Sequence, residues 1–243
     1  MDASAALTAP ADWMGELAVD RAALGRSSTA QRVAEILRAR ITEGLLPPGT
    51  RLSEDAIGTA LGVSRNTLRE AFRLLLHERL ATHELGRGVF VRVLDATDVA
   101  DLYRVRRLLE SAALRNAPHA PPGAMARLEA ALAEGAAAAA EERWRDVGTA
   151  NMHVHQAIAG LAGSPRIDDI MRQLLAELRL AFHIMDAPKT FHAPYQKRHG
   201  QIADLLRAGQ IELAERALDE YLNDAERQLI EAFAQLEAVQ AGR

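Results

Sequence analysis

Apolar side chains recur at helical spacing along most of this chain, and the rhythm changes only between residues 81 and 93. From Gln31 to Gly44, Val33, Ile36, Leu37 and Ile41 fall on one side of a helix, and Gly44 stands at its end, where positive φ is cheap. Pro47-Pro48-Gly49 stop it. Ser53 then caps a short helix with Glu54 and Asp55 in the first turn, against the positive helix end, and Ala56, Ile57, Ala60 and Leu61 as its apolar residues. Gly62 and Val63 close that helix, Ser64 caps the next, and Leu68, Phe72, Leu75 and Leu76 form the next stripe, at i, i+4, i+7 and i+8. Ala81 to Glu84 and Val89 to Val93 read as two short strands paired across Leu85-Gly86-Arg87-Gly88.

From Asp95 onward the pattern is helical almost throughout. Breaks are expected near Pro118 to Gly123, in the alanine run from Glu134 to Ala140, at Gly163-Ser164-Pro165, from Asp186 to Pro194, and at Gly209. Pro122 and Pro165 suit first-turn positions, where the missing N–H does no harm. The fold class that follows is mainly α: a winged helix-turn-helix of three helices and a β-hairpin, then an all-α antiparallel bundle of about six helices. The expected domains are an N-terminal extension over residues 1–26, a reading head over 27–93 and a bundle over 94–238. In the extension, Trp13, Met14 and Leu17 are the candidates for docking.

The polar side of the third helix changes the picture most. Arg65, Arg69 and Arg73 recur every four residues, and Ser64, Asn66 and Thr67 lie at the helix N-terminus. A major groove asks for this arrangement, with N-terminal polar groups for base edges, arginines for guanine and phosphate, and an apolar back gripping the domain. An ordinary amphipathic surface helix would show the same periodicity, and the flanking elements decide against it. The wing tip, with Gly86 and Arg87, would reach the minor groove or the backbone.

Charge is divided along the chain. Residues 27–93 hold ten basic and seven acidic side chains, whereas the whole chain of 243 residues carries −4. A local positive region is enough for DNA binding, and the overall balance argues against nonspecific coating of nucleic acid. No cysteine occurs, which excludes disulfides, zinc ribbons and thiol chemistry and fits a reducing cytoplasm. Asp2, Asp12, Glu16 and Asp20 interrupt the alanine-rich N-terminus, so it does not read as a signal peptide, and no apolar run is long enough for a bilayer.

Some polar residues stand in the bundle where apolar ones are expected. Arg106 and Glu110 share a face, as do Asn151 and His155, whereas His153 points elsewhere. His199 lies among Ile202, Leu205 and Leu206, and Tyr221 among Leu218, Leu222 and Ala225. Singly, each is a surface or hydrogen-bonded core residue, or an i, i+4 ion pair. His183 and His192 are further candidates.

From residue 31 to 93 the chain resembles the GntR family of bacterial transcription factors. The resemblance rests on Gly44, Pro48-Gly49, Leu52, Glu54, Leu61-Gly62-Val63-Ser64-Arg65, Leu68-Arg69-Glu70-Ala71, Leu75, Glu78, Leu80 and Gly86-Arg87-Gly88-Val89-Phe90-Val91. In the FadR-like branch it implies DNA contacts at Ser64, Arg65, Asn66, Thr67, Arg69 and Gly86. Asp55 replaces an arginine of the best-known member, which removes a phosphate contact. Arg79 replaces a glycine, with a cation expected near DNA.

The segment from about 98 to 235 resembles the FCD ligand-binding domain of the same branch. That resemblance implies a small organic-acid effector held by Arg106, Asn151, His155, His199 and Tyr221. It also implies a divalent metal, Zn or Ni, on Asn151, His155 and His199, with Tyr221 in the fourth position. A neutral amide and a phenol that ionises near pH 10 make this a weaker set than a carboxylate with three histidines. The expected molecule is a cytoplasmic homodimer that represses transcription from a palindromic double-stranded operator, with no membrane partner and no enzymatic activity. The alternatives are a metal-dependent hydrolase or isomerase fused to a DNA-binding domain, and a constitutive architectural DNA binder. The first lacks a Ser-His-Asp set, a phosphate cradle or an HExxH motif, and the second leaves the polar cluster without purpose.

Overall fold

The computed structural model describes residues 27–42, 45–184 and 188–241. The expected extension at 1–26, the helix end at Gly44 and the break at Asp186 lie outside them. The first helix, α1, spans Ser27–Thr42 and so begins four residues earlier than expected. Val33, Leu37 and Ile41 are buried, whereas Ile36 is exposed. α2 spans Glu54–Leu61 and α3 spans Arg65–His77. Each has a serine cap: Ser53 Oγ accepts from the Ala56 N–H at 3.3 Å, and Ser64 Oγ from the Thr67 N–H at 3.2 Å. Between them Gly62 takes φ 64°, a left-handed turn that glycine makes without a Cβ clash. Leu68, Ala71, Phe72 and Leu75 bury the inner face of α3 against α1.

β1 (Ala81–Glu84) and β2 (Gly88–Val91) pair antiparallel, with Ala81 opposite Val91 and Glu84 opposite Gly88. The second strand stops two residues short of the expected Val93, because Arg92 turns away. Its N–H still donates to Leu80 O at 3.0 Å, but its side chain leaves for the bundle. Residues 49–52 add to the free edge of β2, with Gly49 N–H donating to Val91 O and Leu52 N–H to Val89 O. The turn into β1 holds Arg79 at φ 57°, so the arginine occupies the left-handed conformation for which glycine is the usual choice.

The bundle has six α-helices among the described residues: α4 (Ala96–Arg115), α5 (Ala124–Ala140), α6 (Trp144–Gly160), α7 (Pro165–Ala181), α8 (Pro188–Arg207) and α9 (Ile211–Ala241). Asp95 and Asp98 form a reciprocal capping box at the start of α4. Three expectations are corrected. The alanine run does not break a helix, since α5 continues through it to Ala140; alanine is the best helix former, and the chain turns at residues 141–143 instead. Pro194 lies inside α8, where the loss of one N–H is outweighed by burial of its neighbours Phe191, His192 and Tyr195. Pro122 precedes α5, whose cap is Gly123, whereas Pro165 does take the first turn of α7.

In the bundle α5 runs along α6, and α9 packs on α4 and α8. One apolar core continues from the head, through Leu94 and Val99, into the bundle. Polar contacts cross the same seam. Arg92 bonds Asp98 of α4 at 2.6 Å and Glu177 of α7, while Arg179 Nε donates to Thr42 O at 3.1 Å. Arg79 is exposed, and its charge acts on Glu177 at this seam.

Candidate DNA interface and ligand site

On the head, buried Leu68, Phe72 and Leu75 turn the opposite side of α3 outward. Ser64, Arg65, Asn66, Arg69 and Arg73 are exposed on α3 and at its N-terminus, and Thr67 is half-buried. The arginines are paired at the surface, Arg65 with Asp55 at 2.8 Å, Arg69 with Glu54 at 3.0 Å and Arg73 with Glu70 at 2.9 Å. The Arg65 and Asp55 side chains remain 70% and 77% exposed. Pairs in that setting contribute about 0–1 kcal/mol, which a phosphate or a guanine edge readily replaces. Asp55 therefore does more than remove a cation, because it occupies Arg65.

At the wing, Gly86 has φ 74° and Gly88 φ 111°. Arg87 pairs with Glu84 and lies over the Phe90 ring at 5.3 Å. A cleft of about 290 Å³ joins α3 to the wing, with Arg51, Asp55, Arg65, His83 and Gly88 among its lining residues. Arg51 and His83 were not singled out in the sequence. The signal for Arg51 was its place just after Pro48-Gly49, on the segment that joins the edge of β2.

Inside the bundle, α4, α6, α8 and α9 bring the expected residues together. Arg106, Glu110, Asn151, His155, His199 and Tyr221 are all buried. Arg106 Nε donates to Glu110 Oε1 at 2.8 Å, and the other carboxylate oxygen meets His155 Nδ1 at 2.7 Å. Burial alone would raise the Glu110 pKa, but His155 and Arg106 outweigh it and hold the group below its usual range. The ionised carboxylate accepts a hydrogen bond from His155 Nδ1–H, leaving Nε2 as an acceptor that faces His199 Nε2 at 3.3 Å. Burial, then the Arg106 charge, pushes His155 below its ordinary pKa; burial, then His155, pushes His199 further down. Both imidazoles are neutral at pH 7.

Asn151 Nδ2 donates to the Tyr221 hydroxyl at 2.9 Å, and the Tyr221 ring leans on both imidazoles, with centroids 5.0 and 4.7 Å away. Burial keeps this phenol protonated far above neutrality. The Arg106 guanidinium lies over Tyr103 at 4.8 Å and is 1% exposed, and its Nη2 has no hydrogen-bond partner. Glu110 and Tyr103 were missing from the expected ligand set. Their positions four after and three before Arg106, on the same helical face, were the available sign.

The fit of a metal ion is mixed. Two ligands at about 2.05 Å from one tetrahedral ion stand about 3.4 Å apart, close to the spacing of the two Nε2 atoms. Glu110 behind His155 is the carboxylate that orients such a ligand. Asn151 and Tyr221 add no charge, and Arg106 with Glu110 sums to zero, so a dication here needs an anionic ligand to complete its shell. Among the described residues, no three His, Asp or Glu side chains gather as a metal site. His192 is buried against Phe182 and Phe191, near enough for its charge to act on His199, and His183 reaches Ile41 O at 3.4 Å on the seam.

The comparisons cover both parts of the chain. Residues 29–91 match the model described as bacterial regulatory proteins, gntR family, and residues 101–224 match the FCD domain. The crystal structure of a transcriptional regulator GntR from Rhodococcus sp. RHA1 is similar, with 47% identity and a TM-score of 0.80 over 84% of this chain and 99% of that one. The gluconate operon transcriptional repressor of Bacillus subtilis (strain 168) is 42% identical over 88 residues, which is 36% of each chain, so this similarity spans about a third of that relative. A probable D-xylose utilization operon transcriptional repressor of Paenarthrobacter nicotinovorans is 28% identical over 82% of this chain and 88% of its own. No described helix is long and apolar enough to cross a membrane.

Proposed function

Because the chain belongs to the GntR family of bacterial transcriptional regulators and carries an FCD domain, we propose that it is a repressor released from its operator by a small organic acid bound beside Arg106. Such a regulator is not an enzyme, and the hydrolase or isomerase reading has no support among its relatives. The observation that carries the effector reading is the buried Arg106 guanidinium with an unsatisfied Nη2, because a buried donor without an acceptor costs roughly 1–3 kcal/mol. A carboxylate oxygen supplies that acceptor.

Two copies associate, and paired α3 helices enter successive major grooves of a palindrome, with Ser64, Arg65, Asn66, Thr67 and Arg69 toward base edges and phosphates. Arg73, Gly86 and Arg87 meet the flanking backbone. The acid must favour one disposition of the heads over the other, since equal affinity for both would shift nothing. A divalent metal, when bound, would be held by the Nε2 atoms of His155 and His199 and by the Asn151 carbonyl, and would supply a Lewis-acidic anchor for an effector oxygen. The gluconate repressor similarity spans 88 residues, about a third of either chain, so it does not settle the choice of effector. The D-xylose repressor similarity reaches the bundle and makes sugars and sugar acids worth including as ligands.

Thermal-shift measurements with mono-, di- and tricarboxylates, gluconate included, test the reading. At least one acid should raise Tm, and Arg106→Lys and Tyr221→Phe should weaken that shift. An acid that binds equally well to both variants would place the effector elsewhere.

A further inference from the structure

A second cleft, of about 470 Å³, lies between α6 and α7, with Thr42, the last residue of α1, among its lining residues. It lies within the size range of small-molecule sites. Its apolar floor is Met152, Leu175 and Ala176, and Met152 and Leu175 belong to a small cluster separate from the main core. Arg179 is among its lining residues. This guanidinium is half-buried and has no carboxylate partner among the described residues; it donates to two backbone carbonyls, Thr42 O and Arg145 O, both at 3.1 Å. Burial and the like charge of Arg145 push its pKa down, so its proton is held less firmly than that of an ordinary arginine. Asp146 opposes this only in part, and the groups that Arg179 hydrogen-bonds are neutral carbonyl oxygens, which an anion would improve upon.

We propose that this cleft is a second ligand site that takes an amphipathic monocarboxylate, with its carboxylate on Arg179 and its hydrocarbon chain along Met152, Leu175 and Ala176. The site is distinct from the pocket of Arg106 and independent of what that pocket binds. It also reaches the reading head. Arg179 and His183 hold the Thr42 and Ile41 carbonyls, the C-terminal end of α1, against the bundle. A carboxylate that claims Arg179 competes with Thr42 O and loosens that end of α1.

Isothermal titration of the full-length protein with octanoate tests the proposal, with octan-1-ol as the chain without the charge. Octanoate should bind, octan-1-ol at least about tenfold more weakly, and Arg179→Met should cost at least about tenfold, the scale of one charge-assisted hydrogen bond. Should Arg179→Met fail to fold, Ala176→Trp fills the floor without removing the guanidinium and should abolish binding. Hydrogen exchange at residues 39–42 should quicken on octanoate addition in the parent protein. Absence of octanoate binding, equal binding of octan-1-ol, or full retention of binding in a folded Arg179→Met or in Ala176→Trp would each overturn the proposal.

Discussion

Arg106 and Glu110 are an i, i+4 pair of the kind usually found on a solvated helix face, but here both are sealed in the bundle. The difference is large in energy. A surface pair contributes a few tenths of a kcal/mol, whereas removal of one partner from a buried pair strands a charge and costs about 3–5 kcal/mol. Glu110→Ala should therefore lower stability by about that amount in urea unfolding, and Glu110→Gln by less, because it still offers an oxygen to Arg106. A loss under about 1 kcal/mol in Glu110→Ala would mean that water reaches this pair in solution. At the other site the relevant residue is exposed. Arg65→Ala should weaken operator binding by about 1–3 kcal/mol with little change in Tm, as read by fluorescence anisotropy and by melting.

Among the elements, α3 was the most legible: its cap, its arginine ladder and Leu68, Phe72 and Leu75 of its stripe fall where the sequence puts them, while Leu76 is half-buried and Ala71 takes a place in the buried face. The acids opposite the ladder were not, because Asp55 and Glu54 lie ten and fifteen residues from Arg65 and Arg69 and meet them only once α2 crosses α3. The same holds for the seam, where Arg92 and Glu177 are separated by 85 residues. Within the bundle, helical spacing placed Asn151 with His155, while the convergence of α4, α6, α8 and α9 came from resemblance and not from periodicity. Asp55→Asn frees Arg65 and removes a negative charge from the DNA face. Operator affinity should rise by about 0.5–1 kcal/mol, most at low salt. Anisotropy at two salt concentrations decides it, and an unchanged or weaker affinity would show that Asp55 does not compete with DNA.

Across the whole molecule, stability should depend on pH through buried histidines. His192 is held neutral by burial and by Arg179, with its pKa lowered to about 4. A folded pKa below the unfolded value of about 6.5 means that the unfolded chain binds the extra proton. The stabilisation is thus fully present above about pH 6.5 and is lost as pH falls towards 4, by on the order of 3 kcal/mol for this residue. His155 and His199 act in the same direction. Melting curves from pH 7.5 to 4.5 should show Tm falling through this range, with a smaller fall in His192→Phe. A Tm independent of pH would mean that these imidazoles are solvated in the native protein.

The Arg92 clamp has a consequence for anyone who would exchange the two halves. Glu177 is buried, and its counter-charge comes from the far end of the wing, not from its own helix. A chimaera grafting this bundle onto a foreign head without an equivalent arginine would leave that carboxylate stranded at the junction. Transplanting α7 position 177 and wing position 92 as a matched couple, rather than splicing at the linker, is the rule this architecture sets for rewiring its input to a new output.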